Sequence, residues 1–200
     1  TLCLFYEKTG CCPRGLDCHL IHRRPTLPRC LVFHHLYPDP LVFASALPQG
    51  AIVFAPGEVQ RLLDAFYVDV FQLLSQFGEV EDMVVAGNRS DHLNGNLIAI
   101  FRETDATLMA LNYLQGNFYA GRKIYVTTAP VQRLSTAICR SDSETRCEHG
   151  DSCNFIHPLN PSPNIFNQCF PRAYKAYPEP FRTGKQRRID SLSDILRGRV

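Results

Sequence analysis

One half-motif is written twice in this chain, and it constrains the fold more than any other feature. Cys12, Cys18 and His22 keep the spacing C-x5-C-x3-H, and Cys147, Cys153 and His157 repeat it more than a hundred residues later. A further cysteine precedes each half, Cys3 by eight intervening residues and Cys139 by seven. Zinc takes four soft or borderline ligands in a tetrahedron, and three thiolates with one imidazole fill it as a closed site. A closed site has no open position for an activated water, so the spacing predicts two structural Zn2+ ions and not a catalytic one. The ligands are Cys3, Cys12, Cys18 and His22, then Cys139, Cys147, Cys153 and His157. Modules this short bury little apolar surface, so the metal must supply most of their folding free energy.

The nine cysteines are odd in number and no secretory series opens the chain, which disfavours a complete disulfide framework and favours metal or free thiols. The competing reading is a set of buried free thiols with His22 and His157 on the surface. Cys11 could replace Cys12, reproducing the seven-residue gap of the second set; Cys12 is preferred because it keeps the five-residue gap to Cys18. Cys30 and Cys169 stand at no ligand spacing and read as core or free thiols.

Between the two sets the hydrophobic periodicity changes in a regular order. Cys30 to Leu36 is an apolar run of strand length, and Asp39 to Gly57 reads as a Pro- and Gly-punctuated loop. From Glu58 to Phe77 the apolar residues trace a helical face that ends at Gly78. Val80 to Ala86 and Asn96 to Phe101 follow as strands, Thr104 to Leu114 as a helix, and Lys123 to Thr128 as a last strand. That order is βαββαβ, the split βαβ sandwich of RNA-recognition motifs. The predicted class is α+β: a zinc finger over 1–29, an RNA-recognition-motif-like domain over 30–130 with a loop insert at 38–57, a second finger over 131–158, and a basic tail over 159–200.

Rings and cations mark the fingers as the RNA-facing parts. Phe5 and Tyr6 lie between the first two ligands of the first finger, and Asn154 and Phe155 between the last two of the second. Rings beside basic side chains stack single-stranded bases and hold their phosphates. Arg14, His19, Arg23 and Arg24 belong to the first finger, Arg140 and Arg146 to the second. The second finger also holds Asp142, Glu144, Glu148 and Asp151, which makes it net acidic and the weaker RNA contact, a brace beside a reader. The basic charge concentrates at the ends: 8 Lys or Arg against 3 acids from Pro158 onward, and 13 against 16 before it. Such ends suit phosphate.

The middle domain lacks the rings that usually read RNA. Asn94-Gly95-Asn96-Leu97-Ile98-Ala99-Ile100-Phe101 stands where the motif K/R-G-F/Y-G/A-F-V-x-F/Y would run, with Asn96 and Ile98 at the ring positions. On the first strand, Val32 occupies the stacking position. Without rings the sheet face loses its stacking platform, so the domain is expected to bind protein, with a weak RNA platform through His34 or His35 as the alternative. No Gly-rich phosphate loop, nucleophile constellation or open metal site appears, so the sequence predicts no enzyme and no small-molecule substrate. No stretch approaches the roughly 18 apolar residues of a membrane span, so an intracellular protein with no membrane partner is expected. The chain opens at Thr1, which leaves room for native sequence before it.

Finger, ring-less domain and finger in this order resemble the small subunit of the spliceosomal U2 auxiliary factor and its close relatives. The resemblance rests on Cys3-Leu4-Phe5-Tyr6-Glu7-Lys8-Thr9-Gly10, Asp64-Ala65-Phe66-Tyr67-Val68-Asp69-Val70-Phe71, Asp91-His92-Leu93-Asn94-Gly95-Asn96 and Cys153-Asn154-Phe155-Ile156-His157. It implies a nuclear splicing protein whose fingers recognise single-stranded pre-mRNA at the 3′ splice site. It also implies a central domain that grips the large subunit, or another spliceosomal protein, through Asp64, Asp69, Phe118 and Tyr119. The chain departs from the family at Asn117-Phe118-Tyr119, where Arg-Trp-Phe or Arg-Trp-Tyr is usual, at Gln72, Leu73, Ser75 and Gln76, where acids are common, and at Pro13-Arg14 and His19 in the first finger. The finger spacing alone also suits a CCCH regulator of mRNA processing or decay outside the spliceosome.

Overall fold

A computed structural model describes residues 1–48, 52–141 and 147–171 of the chain. Two compact units share them, one of 1–37 with 71–159, the other of 38–70 with the chain from 160 on. The first unit is built on an antiparallel sheet: β1 (Cys30–Phe33), β2 (Val80–Ala86), β3 (Leu97–Phe101), β6 (Val126–Ala129) and β7 (Pro158–Leu159), in the order β6-β1-β3-β2-β7. Val32 pairs with Ile98 on one side and Thr127 on the other, which fixes the register of the two ladders that flank β1. The first four strands stand in the order expected of the split βαβ fold, and β7 adds a fifth at the β2 edge through Val85 and Ala86.

Strands β1 and β3 are buried along their whole length, so both faces of the sheet must be covered. Helix α4 (Thr104–Leu114) crosses β3, β1 and β6 with Ala106, Ala110 and Leu114 buried. The other face carries Cys30, Val32, Ile98, Ile100, Val84, Ala86 and Ala129, packed against Cys11, Leu134, Ala137 and Ile156 in one apolar cluster. Cys11 comes from the first finger and Ile156 from the second. The ring-less face is therefore filled by the chain's own fingers and the segment leading into the second. Val32 and Ile98, each 0 % exposed, stand where rings would need solvent, so aliphatic side chains replace them for packing, and this face of the domain is not a partner surface.

Several elements differ from the sequence reading. The last strand is Val126–Ala129, because Lys123 belongs to a separate hairpin of β4 (Phe118–Tyr119) and β5 (Arg122–Lys123). Its two-residue turn, Ala120-Gly121, has positive φ at both positions, 47° and 77°, as the favoured hairpin twist demands. His34 and His35 follow β1 in a turn, with His35 at φ 52°, so the strand alternation that would send them to opposite faces stops before them.

In the second unit, the insert expected as loop contains helix α2 (Pro40–Ser45). Asp39 accepts from Leu41 N–H at 2.9 Å and Pro40 opens the first turn, a polar cap and a preset φ that suffice to start a short helix. The long helix α3 (Glu58–Ser75) begins here and carries the chain onward into the first unit. Helix α5 (Pro163–Cys169) lies in the segment read as tail. The Asp64 carboxylate caps it, accepting from Ser162 N–H at 2.7 Å and from the Ser162 hydroxyl, while Tyr67, Phe166 and Phe170 form a ring cluster. Residues 172–200, with most of the expected basic tail, lie outside the described residues.

Candidate metal centres and the surface around them

Both fingers are built by the same backbone device. Cys3 N–H donates to Ile21 carbonyl at 3.0 Å and Ile21 N–H to Thr1 carbonyl at 3.0 Å, which ties the first ligand to the residue before the last. In the second finger Cys139 N–H donates to Ile156 carbonyl and Ile156 N–H to Ala137 carbonyl, both at 2.9 Å. A 3-10 turn, Gly15–Asp17 or Gly150–Ser152, then delivers the third ligand. In the first finger, α1 (Leu4–Thr9) ends at Gly10 with φ 74° and its N–H on Tyr6 carbonyl at 2.9 Å, which reverses the chain toward Cys12.

In each set the four candidate ligand atoms lie within 4.8 Å of one another. The Sγ atoms of Cys3 and Cys12 are 3.7 Å apart, and so are those of Cys139 and Cys147. Thiolates at about 2.3 Å from a tetrahedral zinc are separated by about 3.8 Å, so the donor sets fit that ion. His22 Nε2 is buried with no hydrogen-bond partner among the described residues, as an imidazole kept for a metal would be. In the metal-free chain, burial pushes the Cys12 thiol up to about 11 and the Cys153 thiol up to about 12. The more accessible Cys18 is lowered, first by the Leu20 N–H aimed at its sulfur.

The geometry resolves the choice between the adjacent cysteines in favour of Cys12. Cys11 points into the sheet cluster, where its Sγ accepts from Asn96 Nδ2 at 3.2 Å and burial raises its thiol to about 12. Cys30 is fully buried in the same cluster. Cys169, on α5 of the other unit, is also buried, and neither belongs to a ligand set.

Side chains of the central domain hold each finger in place. Asn96 links three elements: its Nδ2 also donates to His92 carbonyl at 2.8 Å and its Oδ1 accepts from His35 N–H at 2.9 Å. Asn88, just past β2, does more for the second finger. Its Nδ2 donates to Cys153 carbonyl at 3.1 Å and Phe155 carbonyl at 2.9 Å, and its Oδ1 accepts from His157 N–H at 2.8 Å. Gly87 N–H donates to His157 carbonyl at 2.7 Å, and a Cβ at Gly87 would stand 2.7 Å from the Leu159 side chain. Likewise a Cβ at Gly10 would stand 2.7 Å from both Val32 and Ala129, so only glycine lets the first finger approach the sheet. Sequence reasoning missed Asn88 entirely. For Asn96 the one available signal was an amide heading the otherwise apolar run that became β3.

The rings read as exposed are engaged with one another. Phe5 meets Phe155 edge-on at 6.0 Å and 72°, which makes the two fingers neighbours. Tyr6 lies flat on the His22 imidazole at 4.4 Å and 5°. Phe5, Tyr6 and Phe155 are half-buried, as is Asn154, so each offers one side to solvent. Arg14, His19, Arg23, Arg24 and Arg140 are exposed, and Arg23 is paired with Glu7 at 3.0 Å. Arg146 lies outside the described residues, with Asp142 and Glu144. Of the expected partner residues, Phe118 is 72 % exposed and Tyr119 half-buried on the β4–β5 hairpin. Asp69 is exposed on α3, and Asp64 is committed to Ser162 and to Gln60 Nε2 at 2.8 Å.

No family model matches the chain. It is 36% identical over 176 residues to a U2af small-subunit splicing factor of Arabidopsis thaliana, covering 88% of this chain and 62% of that relative. It is 34% identical over 163 residues to "Splicing factor U2AF 23 kDa subunit" of Schizosaccharomyces pombe, covering 82% and 73%. With "Splicing factor U2AF 26 kDa subunit" of Homo sapiens it shares 32% over 184 residues, covering 91% and 84%. The chain thus spans less than two-thirds of the plant relative and more of the other two.

Proposed function

The chain belongs to the U2AF small-subunit family, and from that premise we propose that it is a pre-mRNA splicing factor whose two fingers grip single-stranded RNA at the 3′ splice site. The observation that carries this reading is the Phe5–Phe155 contact, which turns two separate modules into one surface. Two zinc ions, held by Cys3, Cys12, Cys18 and His22 and by Cys139, Cys147, Cys153 and His157, are structural: when bound they neutralise the thiolates and fix each loop. The rest is done by the chain's own side chains. The open sides of Phe5, Tyr6 and Phe155 stack bases, and Arg14, Arg24 and Arg140 hold phosphates; a stacked base contributes about 1–3 kcal/mol. His19 and Asn154 supply hydrogen-bonding edges that choose among bases. Arg23, already paired with Glu7, contributes less.

The central domain performs no chemistry in this reading; it is the frame that sets the distance between the fingers. A protein partner, the large subunit of the auxiliary factor or another spliceosomal protein, is taken up through the Phe118-Tyr119 hairpin of the first unit, and Asp69 on the second is a separate contact. Nuclear location follows from the role. Asp64 supports the partner surface indirectly, by holding α5.

The test is RNA binding by the two-zinc protein. Cys12→Ser or Cys153→Ser is expected to abolish binding to a short 3′ splice-site RNA while the untouched finger keeps its metal. Unchanged affinity in either variant, with two zinc ions still bound, would sink the reading. A pull-down that recovers deadenylation factors and no spliceosomal protein would move the protein to mRNA decay.

A further inference from the structure

On the unit that carries both fingers, an open groove of about 500 Å³ runs beside strand β6. That is within the roughly 300–1,000 Å³ of sites built for small ligands. Tyr6, His22 and Arg24 are among the residues at its finger end, and His34, His35, His92 and Thr127 are among those beyond it. No carboxylate is among the lining residues. The groove lies outside the ring pair that joins the fingers. The candidate ligands Cys12 and His22 border its finger end, but His34, His35 and His92 belong to neither zinc centre: among the described residues, only the two Cys3His sets bring three or more ligating atoms within 4.8 Å.

We propose that this groove is a further nucleotide subsite, taking one residue of single-stranded RNA as it runs off the first finger. The proposal rests on the RNA reading of the fingers and adds a place where the strand goes next. A nucleotide needs a cation for phosphate, and Arg24 is exposed, with no ion-pair partner among the described residues. It needs hydrogen-bonding edges for base and 2′-OH. His35 Nδ1 is bonded to Asn94 carbonyl at 2.8 Å, and a carbonyl only accepts, so Nδ1 carries the proton and Nε2 is left for a ligand. His92 Nε2 is buried with no hydrogen-bond partner among the described residues, a polar atom that the groove leaves for an occupant. His34 Nε2 is held by Thr127 Oγ1 at 2.9 Å and shapes the wall. Burial keeps His34 and His92 below the usual imidazole range, so both enter as neutral rings, suited to a base edge.

A peptide is the other occupant an edge strand invites, by strand addition. Here Val126 N–H is already bonded to Gln115 Oε1 at 2.8 Å, which removes a donor that an added strand would need. With a cation at the groove's finger end and no acid along it, the lining chemistry is that of a nucleotide.

The experiment uses the zinc-loaded chain and two uridine- and AG-containing RNAs, of roughly 4 and roughly 8 nucleotides, the range one small binding module spans. Thr127→Glu introduces a carboxylate on an exposed strand position, and His35→Ala removes the imidazole without adding charge. Both variants are expected to bind the short RNA like the parent and the long RNA about tenfold more weakly, while Thr127→Gln restores long-RNA binding. RNA-induced shifts of the His35 and His92 imidazole nitrogen resonances should appear with the long RNA only. If the variants bind long RNA as the parent does, or lose both lengths equally, the groove is not a subsite. Loss of a protein partner with RNA binding intact would also overturn the proposal, in favour of a peptide. If the parent binds neither RNA, the finger reading itself fails and the subsite falls with it.

Discussion

Asn88→Ala tests whether the second finger depends on the central domain. Asn88 is 1 % exposed and makes three hydrogen bonds to the backbone of that finger, at 2.8, 2.9 and 3.1 Å, two of them to its ligand residues Cys153 and His157. Each such bond is worth about 1 kcal/mol net, and an orphaned buried group costs about 1–3 kcal/mol. Losing three gives about 3 kcal/mol as a lower figure, roughly a hundred-fold in the equilibrium that holds the finger in its metal-binding shape. Asn88→Asp is expected to do no better. It keeps the acceptor for His157 N–H but turns a carboxylate oxygen toward two carbonyls, where the amide had donated. The assay is zinc release to a chromogenic chelator: both variants should surrender one of the two equivalents at a far lower chelator concentration than the parent, and retain the other. Parent-like release of both equivalents would refute the claim that the sheet holds this finger.

Four further outcomes follow from the same geometry. Cys11→Ser should keep two zinc ions and lower the thermal midpoint, because its sulfur packs in the sheet cluster, whereas Cys12→Ser should lose one ion by elemental analysis. Gly10→Ala should loosen the first finger, since the new Cβ would stand 2.7 Å from Val32 and Ala129 at a φ of 74°; about 2 kcal/mol or more by chemical denaturation is expected from overpacking and backbone strain together, each about 1–3 kcal/mol. Zinc affinity should rise with pH near neutrality. With the metal-free thiols of Cys12 and Cys153 raised to about 11 and 12, each must shed a proton to ligate, so binding releases protons that calorimetry in buffers of different ionisation enthalpy will count. Asp64→Ala should destabilise α5, about 1 kcal/mol or more for its cap, read as faster amide exchange over 162–169.

The two Cys3His clusters were legible because metal chemistry restricts spacing. Three thiolates and an imidazole must converge on one point, and five and three residues between the last ligands let a short loop reach it. The sheet and its helices were legible for a similar local reason: periods of two and of about 3.6 are consequences of backbone geometry, and Val80–Ala86 and Thr104–Leu114 appear with the bounds the pattern gave them. The family resemblance named the same architecture from contiguous residues. Hairpin β4–β5 and helices α2 and α5 escaped, being set by one turn or one cap and not by a period.

What only the tertiary structure decided is how one part covers another. Val32 and Ile98 read as missing rings; they are the floor on which Cys11 and Ile156 pack. Spacing preferred Cys12 over Cys11; the fold shows why, with Asn96 bonded to the Cys11 sulfur and Cys3 standing 3.7 Å from that of Cys12. Asn88, with no motif around it, binds residues 65, 67 and 69 positions away. Spacing along the chain encodes groups that must meet within a loop. Contacts across such separations depend on which surfaces the fold brings together, and a single sequence carries no local mark of them.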